Sequence, residues 1–330
     1  MATIYLTEQG SILRKTSDRL IVEKNHEVLL EVPCLKIDTI LIFGNVQVTT
    51  QALAELLDHG IELALLSVSG KLRGQLTPPN PKNIRLRMRQ YELAQSEGSC
   101  LDLAKRFVSA KIANSAAVLT RLRRHAADEL PLHCIQELNA TIPDIEAATS
   151  LESLLGLEGA AAARYFRALG RVAPTGFAFE NRSRRPPRDP LNALLSFGYV
   201  LVGKEIQSLL DAMGFDPYIG IYHQIEYGRP SLALDLLEEL RAPLVDRFSL
   251  SLLNLRTLAR DDFHSSPEGG VLLGHDSMKR YFPAYEKELN APFSLDGGES
   301  SFRQLFRRQA ERLARALVDG EPYEAFRLPC

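Results

Sequence analysis

Pro78-Pro79-Asn80-Pro81 separates two stretches of sequence that follow different periodicities. Proline lacks a backbone donor, holds φ near about −65° and biases the preceding residue towards extended backbone, so this segment suits neither a helix interior nor a central strand. On its N-terminal side, short apolar runs at residues 3–6, 19–22, 28–32, 39–43 and 46–48 alternate with turn formers. These turns are Gln9-Gly10, Thr16-Ser17-Asp18, Lys24-Asn25 and Gly44-Asn45. A helix over 50–59 and a strand over 61–68 complete the pattern. On its C-terminal side the period becomes helical, over 101–124, 151–169 and 189–213, with a loop at 214–230 before another helix from Ser231. Asp189-Pro190 reads as a capping side chain followed by proline at the first helical position. The fold class expected is α+β: a small β-rich domain at 1–80 and a larger all-α domain at 81–330.

Across its 330 residues, 39 Lys+Arg oppose 41 Asp+Glu, a formal charge of −2. That balance excludes nucleic-acid or anionic-membrane binding through global basicity and leaves only charge segregated along the chain. The longest uncharged runs, 39–54 and 191–203, fall short of the roughly 20 apolar residues of a membrane span. The N-terminus lacks the basic start and apolar core of a secretory signal. Cys34, Cys100, Cys134 and Cys330 are scattered without a Cys-x-x-Cys pair, which disfavours zinc, iron–sulfur and disulfide frameworks. The expected location is the reducing cytoplasm.

At about 100° per residue, Leu151, Leu154, Leu155, Ala161, Ala162, Tyr165, Phe166 and Leu169 share one stripe, and Glu158 falls in its middle. A carboxylate there must be ion-paired, protonated or bound to metal, because burying it alone costs several kcal/mol. Gly159 leaves the adjacent backbone uncovered. A second feature is His223, which ends the apolar run 218–222 before a loop containing Gly228 and Pro230. The helix after it carries Asp235 and Glu238 three residues apart; Glu238 borders the apolar side, with Arg241 available for pairing on the next turn. Glu239 and Asp246 are expected to point towards solvent, and Glu205, near another apolar stripe, is a weaker candidate.

Residues 155–166, Leu-Gly-Leu-Glu-Gly-Ala-Ala-Ala-Ala-Arg-Tyr-Phe, resemble a segment of the CRISPR-associated spacer-acquisition integrase family, Cas protein one. Residues 181–199 and 223–247, the N-terminal hairpin pattern, Lys111-Ile112-Ala113-Asn114 and the proline-rich boundary fit as well, so the similarity runs from 1 to about 285. The resemblance implies a metal-dependent DNA endonuclease and integrase that inserts short fragments into the CRISPR repeat array by 3′-OH attack on a phosphodiester. It implies metal-ligand and catalytic roles for Glu158, His223 and Glu238, with Asp235 a further acid lining the site. It also implies a homodimer, with the N-terminal domain in dimerisation, assembled with the small companion Cas protein two on double-stranded DNA.

Two carboxylates and an imidazole suit Mg²⁺ or Mn²⁺ better than zinc. The charge distribution agrees with a phosphate partner: 82–124 holds ten basic and three acidic residues, and 164–188 seven and one. The stretch 205–246 holds eight acids. Arg182, Arg184, Arg185 and Arg188 form the densest basic cluster and are expected to contact DNA phosphates. Arg303, Arg307, Arg308, Arg312 and Arg315 recur at helical spacing and read as a solvated or partner-facing face. The competing reading of the same sequence is a non-catalytic DNA-binding scaffold subunit that uses its acids structurally.

Overall fold

The computed structural model of the chain describes residues 2–68, 70, 72–77, 83–123, 129–266 and 269–329. It comprises two compact units, Met1–Asn80 and Pro81–Cys330. The tetrapeptide 78–81, Lys82, Arg124 and Cys330 lie outside the described residues.

In the first unit, strands β1 (Ala2–Leu6), β2 (Ile12–Thr16), β3 (Arg19–Lys24), β4 (Glu27–Pro33), β5 (Ile37–Phe43) and β6 (Gln47–Val48) precede helix α1 (Thr50–Asp58). Strands β7 (Glu62–Leu66) and β8 (Leu72–Leu76) follow it. They make two four-stranded sheets, ordered β1-β5-β7-β8 and β4-β3-β2-β6. β1, β5 and β7 are parallel and β8 is antiparallel to β7, whereas β2, β3 and β4 form an antiparallel meander with β6 parallel to β2. Parallel neighbours need a crossover, and α1 lies in the one between β5 and β7. Thr49 caps α1 by accepting a hydrogen bond from the Ala52 amide at 3.3 Å. Leu13, Leu20, Ile40, Ile42, Leu56 and Leu63 lie at the centre of the core between these elements.

Sequence patterning does not reveal β2 or β8. Ile12-Leu13-Arg14-Lys15-Thr16 is apolar only at its start and Leu72-Arg73-Gly74-Gln75-Leu76 only at its ends, so both owe their conformation to ladder partners.

The second unit opens with α2 (Ile84–Ala94), α3 (Glu97–Leu122), α4 (Leu130–Ala147), α5 (Leu151–Val172), α6 (Pro190–Met213), α7 (Ser231–Glu238) and α8 (Arg247–Asn254). An antiparallel hairpin of β9 (Phe263–Ser265) and β10 (Val271–Leu273) leads to α9 (Met278–Asn290). A second hairpin, β11 (Phe293–Leu295) with β12 (Gly298–Ser300), leads to α10 (Phe302–Asp319). The unit is predominantly helical, which corrects the all-α expectation. Strands of three residues are too short for a period of two to register in sequence.

Asp189 caps α6 by accepting from the Asn192 amide at 2.8 Å, with Pro190 in the first turn. At 24 residues α6 is long and apolar enough to cross a membrane, which a count of uninterrupted apolar residues does not reveal. With 67% of its most apolar window buried inside the unit, it is the kind of helix that forms a core. α3 packs against α4, α5, α7 and the segment after α7, and so gathers side chains from three parts of the chain.

Candidate functional site

On α5, Leu154, Ala161, Tyr165 and Leu169 are buried, and Glu158 sits among them with its side chain only 15% exposed. Nothing would meet a Cβ at Gly159, so the backbone beside Glu158 is open as the sequence suggests. Across from Glu158 stands Lys111, on the stripe of α3 that also carries the buried Ala104, Val108 and Ser115. Its ammonium bridges Glu158 Oε1 and Glu238 Oε2, the latter at 2.5 Å. Glu238 ends α7 and is 2% exposed; its Oε1 is 2.9 Å from the Arg241 guanidinium and 3.7 Å from His223 Nε2. Burial alone would raise its carboxyl pKa, but the Arg241 guanidinium and the Lys111 ammonium outweigh burial and hold it below the usual carboxylate range.

The loop before α7 wraps around Asp235. Its Oδ2 accepts from the amides of Ile221 at 2.6 Å and Tyr222 at 3.1 Å. Its Oδ1 accepts from the His223 amide at 2.9 Å and lies 2.7 Å from His223 Nδ1. A fully buried carboxylate engaged four times in this way accepts only, so Nδ1 carries the imidazole proton and Nε2 is left free to face Glu238. Asp235 thus stands behind the imidazole and positions it. Gly220 permits the tight turn: a Cβ there would lie 2.4 Å from the His223 carbonyl oxygen and 2.6 Å from Ser231 Cβ. The Tyr222 hydroxyl has a pKa pushed upward by burial and by the nearby Glu158, Glu238 and Asp235.

Beyond Glu238 the chain makes a wide π-type turn, Arg241–Asp246, a form often found at functional sites. Arg241 lies 4.6 Å from the centre of the Tyr199 ring. Tyr199 and Tyr165 donate to Asp246 at 2.5 and 2.8 Å. Burial raises the Asp246 carboxyl to about 6 against those two hydrogen bonds. Glu239, accepting from the Tyr323 hydroxyl, the Phe326 amide and Gln309, is likewise raised by burial to about 7. Both acids are buried, contrary to the solvent-facing expectation: α7 is buried on nearly every side, so Glu239 at its end has no solvent face, and the π turn then carries Asp246 off the 3.6-residue period. Glu205 is largely shielded, paired with Arg303 at 3.2 Å and accepting from Tyr285 at 3.0 Å, and takes no part in the Glu158–Lys111–Glu238 cluster.

Of the arginines expected to hold DNA, Arg184, Arg185 and Arg188 are exposed. Arg182 is used within the chain: it donates to Asn192 at 2.7 Å and Ser196 at 2.9 Å and lies over Tyr199. Part of the other basic charge is spent similarly, with Arg106 donating to the Tyr323 carbonyl and Arg164 paired with Glu137. On α10, Arg303, Arg308, Arg312 and Arg315 all form ion pairs within the unit, those of Arg308 and Arg315 at solvent-exposed positions.

Among the described residues, no three His, Cys, Asp or Glu side chains meet at metal-ligand spacing. The ammonium of Lys111 lies between the two carboxylates to which the family resemblance gives metal-ligand roles. The donor types still suit a divalent cation: two carboxylates share the Lys111 ammonium, and the His223 imidazole stands 3.7 Å from the other oxygen of Glu238. Lys111 is the member of the cluster whose position the sequence reading leaves undetermined. Its signal is a basic residue on the buried stripe of α3, complementary to the acid on the stripe of α5.

Residues 4–287 match the profile of the family described as CRISPR associated protein Cas1. A CRISPR-associated endonuclease Cas1 of Thermus thermophilus is 38% identical over 99% of this chain and 97% of its own length. A Cas1 protein from Thermotoga maritima has a TM-score of 0.83 at 25% identity, over 96% of this chain and 97% of that one. The Cas1-containing chain of a Cas6-RT-Cas1–Cas2 complex superposes with a TM-score of 0.86 at 25% identity, over all of this chain but 36% of its own length. With the family profile spanning most of the sequence and a relative of this similarity aligned end to end, the chain belongs to the Cas1 family of CRISPR-associated endonucleases.

Proposed function

We propose that Glu158, His223 and Glu238 hold a divalent ion, Mg²⁺ or Mn²⁺, and that the chain joins the 3′-OH ends of short DNA fragments to the CRISPR repeat array. The observation that supports this reading is that Glu158 and Glu238, from separate helices, share one cation, Lys111, while the His223 imidazole flanks the other oxygen of Glu238. When bound, such an ion neutralises non-bridging phosphate oxygens, lowers the pKa of an attacking hydroxyl and stabilises the leaving alkoxide.

The chain's own residues supply the rest. Asp235 fixes the tautomer and direction of His223, so that Nε2 is the ligand atom. Arg241 keeps Glu238 ionised and remains as a fixed positive charge beside the reacting phosphate. Exposed Arg184, Arg185 and Arg188 hold backbone phosphates and set the register of the duplex. Residues 81–330 form the catalytic domain and residues 1–80 the dimerisation domain. On the edge strand β4, Val28, Leu29 and Leu30 are exposed at 52%, 44% and 38%, an apolar edge of the kind that a second copy would cover. Assembly with Cas2 is supported by the relative solved in a Cas1–Cas2 complex. Action on array DNA places the protein in the cytoplasm, which suits the free thiols of Cys34, Cys100 and Cys134.

The test is incubation of the purified protein, alone and with the Cas2 companion, with 3′-OH DNA and a supercoiled repeat-bearing plasmid. Joined product that requires Mg²⁺ or Mn²⁺ supports the proposal. DNA binding without joined product under any condition would replace it with the scaffold reading.

A further inference from the structure

We propose that Lys111 is a built-in, exchangeable counterion that competes with the divalent ion for the same two carboxylates. This rests on the metal-site reading above. The Lys111 ammonium lies against both Glu158 Oε1 and Glu238 Oε2, and all three side chains are largely shielded from solvent. It is the only group joining those two carboxylates among the ion pairs of the described residues. Without a cation between them, two ionised carboxylates would repel each other in a shielded pocket where screening is weak. Lys111 removes that repulsion, so the site stays assembled when no metal is present.

A divalent ion bound to the same oxygens would put its charge within a few ångströms of the ammonium, an arrangement disfavoured by the same electrostatics. Lys111 and the ion therefore exclude each other from the shared position. Lysine suits this exchange: its charge sits on a long, flexible stem that can withdraw, and it is held here by contacts to the two acids. Arg241 differs. Its guanidinium pairs with Oε1 of Glu238, not with the Oε2 that Lys111 holds, and lies over the Tyr199 ring, so it stays in place when the ion enters. The consequence is a site whose affinity for free metal is weakened by its own lysine, and which keeps its shape before metal and DNA arrive.

The test measures binding of Mn²⁺ alone to the full-length protein without DNA, following free Mn²⁺ by its electron paramagnetic resonance signal. The proteins are wild type, Lys111→Met, Lys111→Arg and His223→Ala, each checked by circular dichroism and thermal melting. Lys111→Met removes the competing charge and keeps the stem, and should tighten Mn²⁺ binding at least about tenfold. Lys111→Arg restores a cation and should return affinity towards wild type, which a purely structural role for the stem would not produce. His223→Ala should weaken binding. If Lys111→Met remains folded and binds Mn²⁺ no more tightly than wild type while His223→Ala weakens it, the exchange is overturned and the metal site stands. If His223→Ala has no effect on binding, the metal-site reading fails together with the exchange.

Discussion

His223 Nδ1 lies 2.7 Å from Asp235 Oδ1, and the same carboxylate also accepts from three consecutive backbone amides, those of Ile221, Tyr222 and His223. One buried acid therefore fixes both the loop that carries the imidazole and the direction of its free nitrogen. Asp235→Asn replaces an acceptor oxygen with an NH₂ that opposes amide donors, at a cost of roughly 1–3 kcal/mol. It should also reduce metal affinity or joining activity by about 10–100-fold. Thermal melting and Mn²⁺ titration check both effects; wild-type metal affinity in the variant would show that Asp235 does not position His223.

Glu238 balances Lys111 and Arg241 inside the unit, whereas among the ion pairs of the described residues Glu158 has Lys111. Glu238→Ala leaves two cations without their shared partner and should destabilise the fold by roughly 3–5 kcal/mol. Glu158→Ala and His223→Ala should each cost less, roughly 1–3 kcal/mol, because Lys111 keeps Glu238 and Asp235 keeps its three backbone amides. Chemical denaturation orders the three variants. Equal losses for Glu158→Ala and Glu238→Ala would contradict the asymmetry of the cluster.

The basic loop before α6 divides into two classes of arginine. Replacing Arg184, Arg185 and Arg188 with alanine should lower the salt dependence of duplex binding by up to about 3 in the log–log slope, with little change in melting temperature. Arg182→Ala should do the reverse, because that side chain bonds Asn192 and Ser196. Fluorescence anisotropy over a series of salt concentrations separates them, and an unchanged slope in the triple variant would remove these arginines from the DNA contact.

Burial raises the Glu205 carboxyl from 4.5 to about 7, outweighing its pairing with Arg303 and the hydrogen bond from Tyr285. The folded chain therefore retains a proton that the unfolded chain releases, so stability falls as pH rises from about 4.5 to about 7 and levels off above that. Glu205→Gln removes this contribution and should flatten the decline by roughly 1–3 kcal/mol. Denaturation at about pH 5 and about pH 7.5 measures it; parallel curves for the two proteins would refute the assignment.

Local rules made some parts of the molecule legible. Asp189-Pro190 announces the start of α6, and Glu158 stands out because nothing apolar can replace its need for a partner. The period change across 78–81 separates the strand-rich from the helical region, while the short strands β9 to β12 leave no periodic trace. Glu239 was unreadable because α7 is buried on nearly all sides and so has no polar face, and Asp246 because a helical wheel assumes a regular helix where the chain makes a π turn. Lys111 looks like one more member of a basic stretch until α3, α5 and α7 pack and its charge falls between two acids. Arg182 matches its three basic neighbours in sequence and differs only in what surrounds it.

The most direct measurement compares wild type with Glu158→Gln in joining labelled 3′-OH DNA to a supercoiled repeat plasmid, over a titration of Mg²⁺ or Mn²⁺. The account predicts joined product from wild type only when the ion is present, and at least a hundredfold less, on the order of the loss of one metal ligand, from the equally folded variant at every concentration. Joining by Glu158→Gln at the wild-type rate, or wild-type joining undiminished by chelator, would contradict it.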